Sequence, residues 1–130
     1  MPYECIIQEN QDHLRVKVSG NSVPGKELDD AIDVLTQVAD ICQKKRISRI
    51  LTIWDVPGHL PSIIGYNIVD FANRFNWGFN FKMAVVYCHK GRFQDALFME
   101  KVAIHHGYKV KMFENEQEAK SWLLGSRKGK

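Results

Sequence analysis

The segment Ser48-Arg49-Ile50-Leu51-Thr52-Ile53-Trp54-Asp55-Val56 decides the fold of this 130-residue chain. Its apolar side chains fall at even and odd positions alike, with Ile50 and Trp54 on one side of an extended backbone and Leu51 and Ile53 on the other. A strand with one wet face alternates apolar and polar residues, so this one needs cover on both faces, as a strand inside a parallel sheet has. Lys82 to Cys88 has the same doubly buried character. Between the two runs a helix is predicted from about Pro61 to Phe75, with Ile64, Ile68, Phe71 and Phe75 on its inward stripe.

Upstream, Tyr3 to Glu9 and His13 to Ser19 form two short alternating segments joined by Asn10-Gln11-Asp12. They predict a hairpin with Leu14, Val16 and Val18 inward and His13, Arg15 and Lys17 outward. Pro24-Gly25 then opens a long helix whose inward residues are expected to be Leu28, Ile32, Leu35, Ala39 and Cys42. Glu27, Asp29, Asp30 and Asp33 near its start and Lys44, Lys45 and Arg46 at its end match the helix dipole. Downstream, a helix is predicted from about Arg92 to His106, followed by a strand from Tyr108 to Phe113. That strand alternates Val110 and Met112 with Lys109 and Lys111, the pattern of a sheet edge. Asn115 with Glu118 three residues on is a capping signature for a last helix, in which Ala119, Trp122 and Leu123 pack inward and Gly125 is the stop.

The order is β-β-α-β-α-β-α-β-α. Strands alternating with helices require crossover connections, hence an α/β domain with a mixed, mainly parallel sheet and helices packed on it. One domain is expected over residues 1–125, with 126–130 as a basic disordered tail carrying Arg127, Lys128 and Lys130. The net charge of +3 owes much to that tail, and the body of the chain has no nucleic-acid footprint. Hydrophobic residues at 45% and charged residues at 25% exclude a disordered chain. No apolar stretch approaches the length of a membrane span, so an integral membrane protein is not expected. Cys5, Cys42 and Cys88 are odd in number and set in apolar surroundings, which predicts buried thiols, a reducing compartment and a cytoplasmic location.

Ligands of such sheets collect at the carboxyl ends of the parallel strands. Two loops leave those ends here, one with Asp55, His59 and Ser62, the other with Cys88, His89, Lys90 and Arg92, and together they are the candidate binding site. A metal reading recruits Asp55, His59, Cys88 and His89, but their spacing fits no zinc pattern, so no metal and no cofactor are expected. Ser62 follows Pro61 at a helix start, where a hydroxyl caps or is solvated, and no Gly-x-Ser-x-Gly elbow is present. No catalytic residue is assigned and the chain is expected not to be an enzyme. An anion at a helix N-terminus, helped by Lys90 or Arg92 and opposed by Asp55, is the milder alternative to a plain turn.

Trp77, Phe79 and Phe81 in the linker Asn76-Trp77-Gly78-Phe79-Asn80-Phe81 either cover a sheet edge or line a pocket; Trp77 and Phe79 enter the candidate site on that ground. On the helix after His89 the inward stripe is expected to be Phe93, Ala96, Leu97, Ala103 and Ile104, leaving Phe98 and Val102 outside. Tyr66 and Val69 fall away from the inward stripe of the preceding helix in the same manner. These four residues predict a homodimer interface.

The whole chain resembles the SpoIIAA-like and STAS-domain families, most tellingly in Phe81-Lys82-Met83-Ala84-Val85-Val86 and in the ending Lys111-Met112-Phe113-Glu114-Asn115-Glu116-Gln117-Glu118-Ala119-Lys120-Ser121-Trp122-Leu123. In the anti-sigma-factor antagonists of that superfamily a phosphorylated serine directly follows an Asp in the loop after a strand. Asp55 matches that Asp, but Val56 holds the serine's place. The resemblance therefore implies a non-enzymatic regulatory or protein-interaction module without the usual switch. Other SpoIIAA-like proteins resemble lipid carriers, which implies as the alternative a small carrier of a lipid-like or other apolar ligand.

Overall fold

Residues 3–20, 25–56, 62–70, 77, 78, 80–88 and 93–124 are described in the computed structural model of the chain. Strand β1 (Tyr3–Glu9) pairs antiparallel with β2 (Leu14–Gly20), Cys5 opposite Val18 and Ile7 opposite Val16. The Asn10 N–H donates to the His13 carbonyl (2.9 Å) and closes the turn. From β2 onward the strands run parallel: β3 (Arg49–Asp55), β4 (Lys82–Tyr87) and β5 (Lys109–Phe113), in the spatial order β1-β2-β3-β4-β5. Each parallel pair is bridged by a helix: α1 (Glu27–Lys45), α2 (Ser62–Asp70) and α3 (Phe93–His105). A last helix, α4 (Glu116–Leu123), follows β5. The mixed α/β sheet is thus the architecture expected, with β5 at an edge.

Strand parity divides the interior in two. Leu14, Val16, Val18, Ile50, Met83, Val85 and Val110 face Val34, Val38 and Cys42 of α1, Val69 of α2, and Ala96 and Ala103 of α3. Leu51, Ile53, Ala84, Val86 and Phe113 face Ala119 and Leu123 of α4. Strands that advance in one direction through crossovers of one hand place all the crossover helices on one face. Helix α4, which follows the last described strand, packs on the other. This is why β3 and β4 are apolar at every position between Ile50 and Ile53 and between Met83 and Val86 save Thr52, itself buried.

Helix ends follow local rules. Arg46 takes a left-handed conformation (φ 59°) as the α1 cap, its N–H donating to the Cys42 carbonyl. Gly107 (φ 94°) ends α3, and the Tyr108 N–H returns to the Ala103 carbonyl (3.0 Å). At α4 the Asn115 side chain accepts from the Glu118 N–H (2.8 Å), as its spacing predicts.

Several expected side-chain placements need correction. The buried line of α1 is Ala31, Val34, Val38, Ala39 and Cys42, while Leu28, Ile32 and Leu35 are half-buried. Small residues let the helix approach the sheet, and the longer ones fall at its flank. Ile104 is 56% exposed and not on the inward stripe of α3, whereas Val69 is 5% exposed and belongs to the core. Val102 packs partly against that core, so of the four expected interface residues only Tyr66 and Phe98 are exposed. Cys88 is exposed as well, because it follows the last residue of β4. Pro24, Pro61, Phe71, Phe75, Gly125 and the basic tail lie outside the described residues.

Candidate functional site

The two candidate loops do start side by side. β3 and β4 are neighbours with Trp54 opposite Tyr87, and the Cys88 N–H donates to the Trp54 carbonyl (3.2 Å). Asp55 and Cys88 share the parity of Ile53 and Val86, so both belong to the α4 side of the sheet. Ser19 is paired with Asp55 on β2. Ser62 opens α2, while His59, Phe79, His89, Lys90 and Arg92 lie outside the described residues.

The electrostatics at these strand ends do not favour a nucleophile. Partial burial pushes the Cys88 thiol above its ordinary value, and the Asp55 carboxylate pushes it further, against the opposing charge of Lys17. A thiol held in its neutral form is a poor attacking group. Arg15 on β2 reaches across the same face to Glu116 at the start of α4, with Nε–Oε2 at 2.9 Å and a second bond of 3.2 Å to Oε1. The guanidinium holds the Glu116 carboxyl below its ordinary range. Among the described residues no group of three His, Cys, Asp or Glu side chains gathers to hold a metal ion.

The other face carries a different feature. Two adjoining cavities lie between the sheet and the α1–α3 layer. The larger, about 60 Å³, is walled by Leu35, Thr52, Trp54, Ile68, Met99 and Met112 among others. The smaller, about 40 Å³, shares Leu35, Ile68, Met83 and Met99 with it and adds Trp77 and Tyr108. Among the described residues no charged side chain lines either one. Trp77, a candidate pocket residue from sequence, is 6% exposed and sits edge-on to Phe81 with ring centroids 5.2 Å apart. It therefore faces the interior cavity and does not merely cover an edge.

Alternation places His13 on the wet face of the hairpin, but it is only 3% exposed. Its Nδ1 donates to Asp12 Oδ1 (2.8 Å) and its Nε2 accepts from Asn10 Nδ2 (3.1 Å), so the turn supplies both partners of the ring. The signal was present in sequence: two hydrogen-bonding residues lie within three positions. Arg15–Glu116 had none, since its partners are 101 residues apart. No family model matches this chain, and neither does any curated protein.

Proposed function

We propose that this chain is a non-enzymatic binding module that encloses an apolar small molecule between its sheet and helices α1–α3. The adjoining apolar cavities are the observation that supports it. Protein interiors pack like organic crystals, and unfilled space is costly. At roughly 24 cal/mol per Å³, a void of 60 Å³ forfeits about 1.5 kcal/mol, which a guest of the right shape recovers. Met83, Met99 and Met112 on the wall are unbranched and polarizable, and repack readily around a guest. The described lining is apolar, so the part of the ligand that enters is hydrocarbon, and at this size it is the end of a chain or a small ring. Any polar head stays outside.

The sequence put a regulatory interaction module ahead of a carrier; the cavities favour the carrier. The SpoIIAA-like kinship stays part of the proposal, since the sheet order and the four helices agree with it. The interaction module, as a homodimer or with a regulatory partner protein, is the second reading. Tyr66 and Phe98, 41% and 42% exposed on α2 and α3, favour it.

Native mass spectrometry of the freshly purified protein addresses both readings, followed by titration with an environment-sensitive fluorescent fatty acid. The carrier reading expects a retained apolar guest or saturable binding of the probe. It also expects Ala96→Leu, which fills the larger cavity, to weaken binding at least tenfold without unfolding the protein. No guest and no saturable binding across several apolar classes would remove the carrier. A dimer mass that Phe98→Glu returns to monomer would put the interaction module first.

A further inference from the structure

The N-terminal ends of β3, β4 and β5 carry a second feature, independent of the cavities and on the opposite side of the sheet. Register places Arg49 opposite Lys82 and Lys82 opposite Lys109, three cations side by side across three strands. All three share the parity of Leu51, Ala84 and Phe113, so they line the α4 side. Adjacent strands are about 4.8 Å apart, which makes the row about 10 Å wide. None of the three forms a salt bridge among the described residues. Like charges directly opposed across strands destabilise a sheet. The strain registers on Lys82, whose ammonium is held less tightly protonated than usual by burial and then by Arg49 and Lys109.

What surrounds the row identifies its partner. Lys82 Nζ donates to the Trp122 carbonyl (2.9 Å) and lies 4.5 Å from the centroid of the Trp122 ring. Trp122 and Leu124, at the end of α4, are each only partly buried. A row of cations whose central Lys82 lies over a partly buried indole, beside an aliphatic residue, is the composition of a membrane interface, where the ring sits near the headgroups and the charges meet phosphates. A track along nucleic acid would need basic residues over a longer path than this row spans.

We propose that Arg49, Lys82 and Lys109, with Trp122, form a docking site for the surface of an anionic membrane. The site needs no transmembrane element, and no described helix is long and apolar enough to cross a membrane. The row attracts the negative surface, and Trp122 inserts at headgroup level.

The test is co-sedimentation of the full chain with vesicles of phosphatidylcholine alone, with vesicles containing about a third phosphatidylserine, and, as a separate arm, binding to duplex DNA. Binding is expected to anionic vesicles only, and to fall as salt rises. Arg49→Gln and Lys109→Gln remove exposed charges and leave the Lys82 bond intact. Each should weaken binding about fivefold and the pair about thirtyfold. Because the double variant relieves repulsion, its melting temperature should be unchanged or higher. The tail charges stay constant throughout. Equal binding to neutral vesicles, indifference to both substitutions, or charge-dependent binding to DNA alone would each overturn the site.

Discussion

The two faces of the sheet differ in a way that runs against their size. Three helices cover one face, yet the cavities lie there, between large and flexible side chains such as Leu35, Met83 and Met99. Among the described residues one helix, of 8 residues, covers the other, and there Leu123, Ala119 and Ala84 are fully excluded from solvent. The reason is geometric. One short helix settles onto three strands through an Ala and a Leu, whereas three helices must also fit one another, and methionines fill what remains incompletely. A broad layer is thus where space for a guest survives. A narrow layer is tight but leaves the flanking cations Arg49, Lys82 and Lys109 at its border.

The largest effect should come from the tight face. Leu123→Ala removes a side chain with no exposure from a site that one short helix closes, so a loss of about 3 kcal/mol is expected. Urea unfolding would register it as a lower midpoint at unchanged slope. A loss under about 1 kcal/mol would mean that α4 is not part of the cooperative core, and the contrast between the faces would fail. Asn115→Ala tests how that helix begins: it leaves the Glu118 N–H without its partner and should cost about 1 kcal/mol.

The smallest effect concerns the strap between β2 and α4. Glu116 has its carboxyl lowered from an ordinary value of 4.5, first by the hydrogen bond from Arg15. A depressed carboxyl contributes stability above its unfolded pKa and loses it as pH falls through the folded one. The wild type should therefore lose a little more stability on acidification below about pH 4.5 than Arg15→Gln does. Both side chains are partly exposed, so the difference should stay under about 1 kcal/mol. Parallel acid titrations of unfolding would show it. Identical acid profiles for the two proteins would mean that the strap does not help hold α4 down.

Local signals were the legible ones. The cap at Asn115 and the doubly apolar strands each depend on residues a few positions apart. The adjacency of Asp55 and Cys88 was also within reach, because neighbouring parallel strands present consecutive loops at one end. Periodicity misplaced residues where the helix boundary is shared. Periodicity puts Val69 outward, yet it is buried because α2 is packed against both α1 and α3; it puts Ile104 inward, yet that residue is exposed near the end of α3. The apolar neighbours of Cys88 predict burial, but its side chain lies just past the last residue of β4 and is exposed.

By itself the sequence determined the order of strands and helices, which strands are covered twice, and where α4 begins. Hydrogen bonding and side-chain alternation along one element carry that information, and both act over a turn or a residue pair. Only the tertiary structure decided that α1–α3 share a face, that space remains beneath them, that Arg15 straps Glu116, and that Arg49, Lys82 and Lys109 stand in one row. These depend on register between strands that are distant in the chain, and a shift of one residue in that register would turn each side chain of the row to the opposite face.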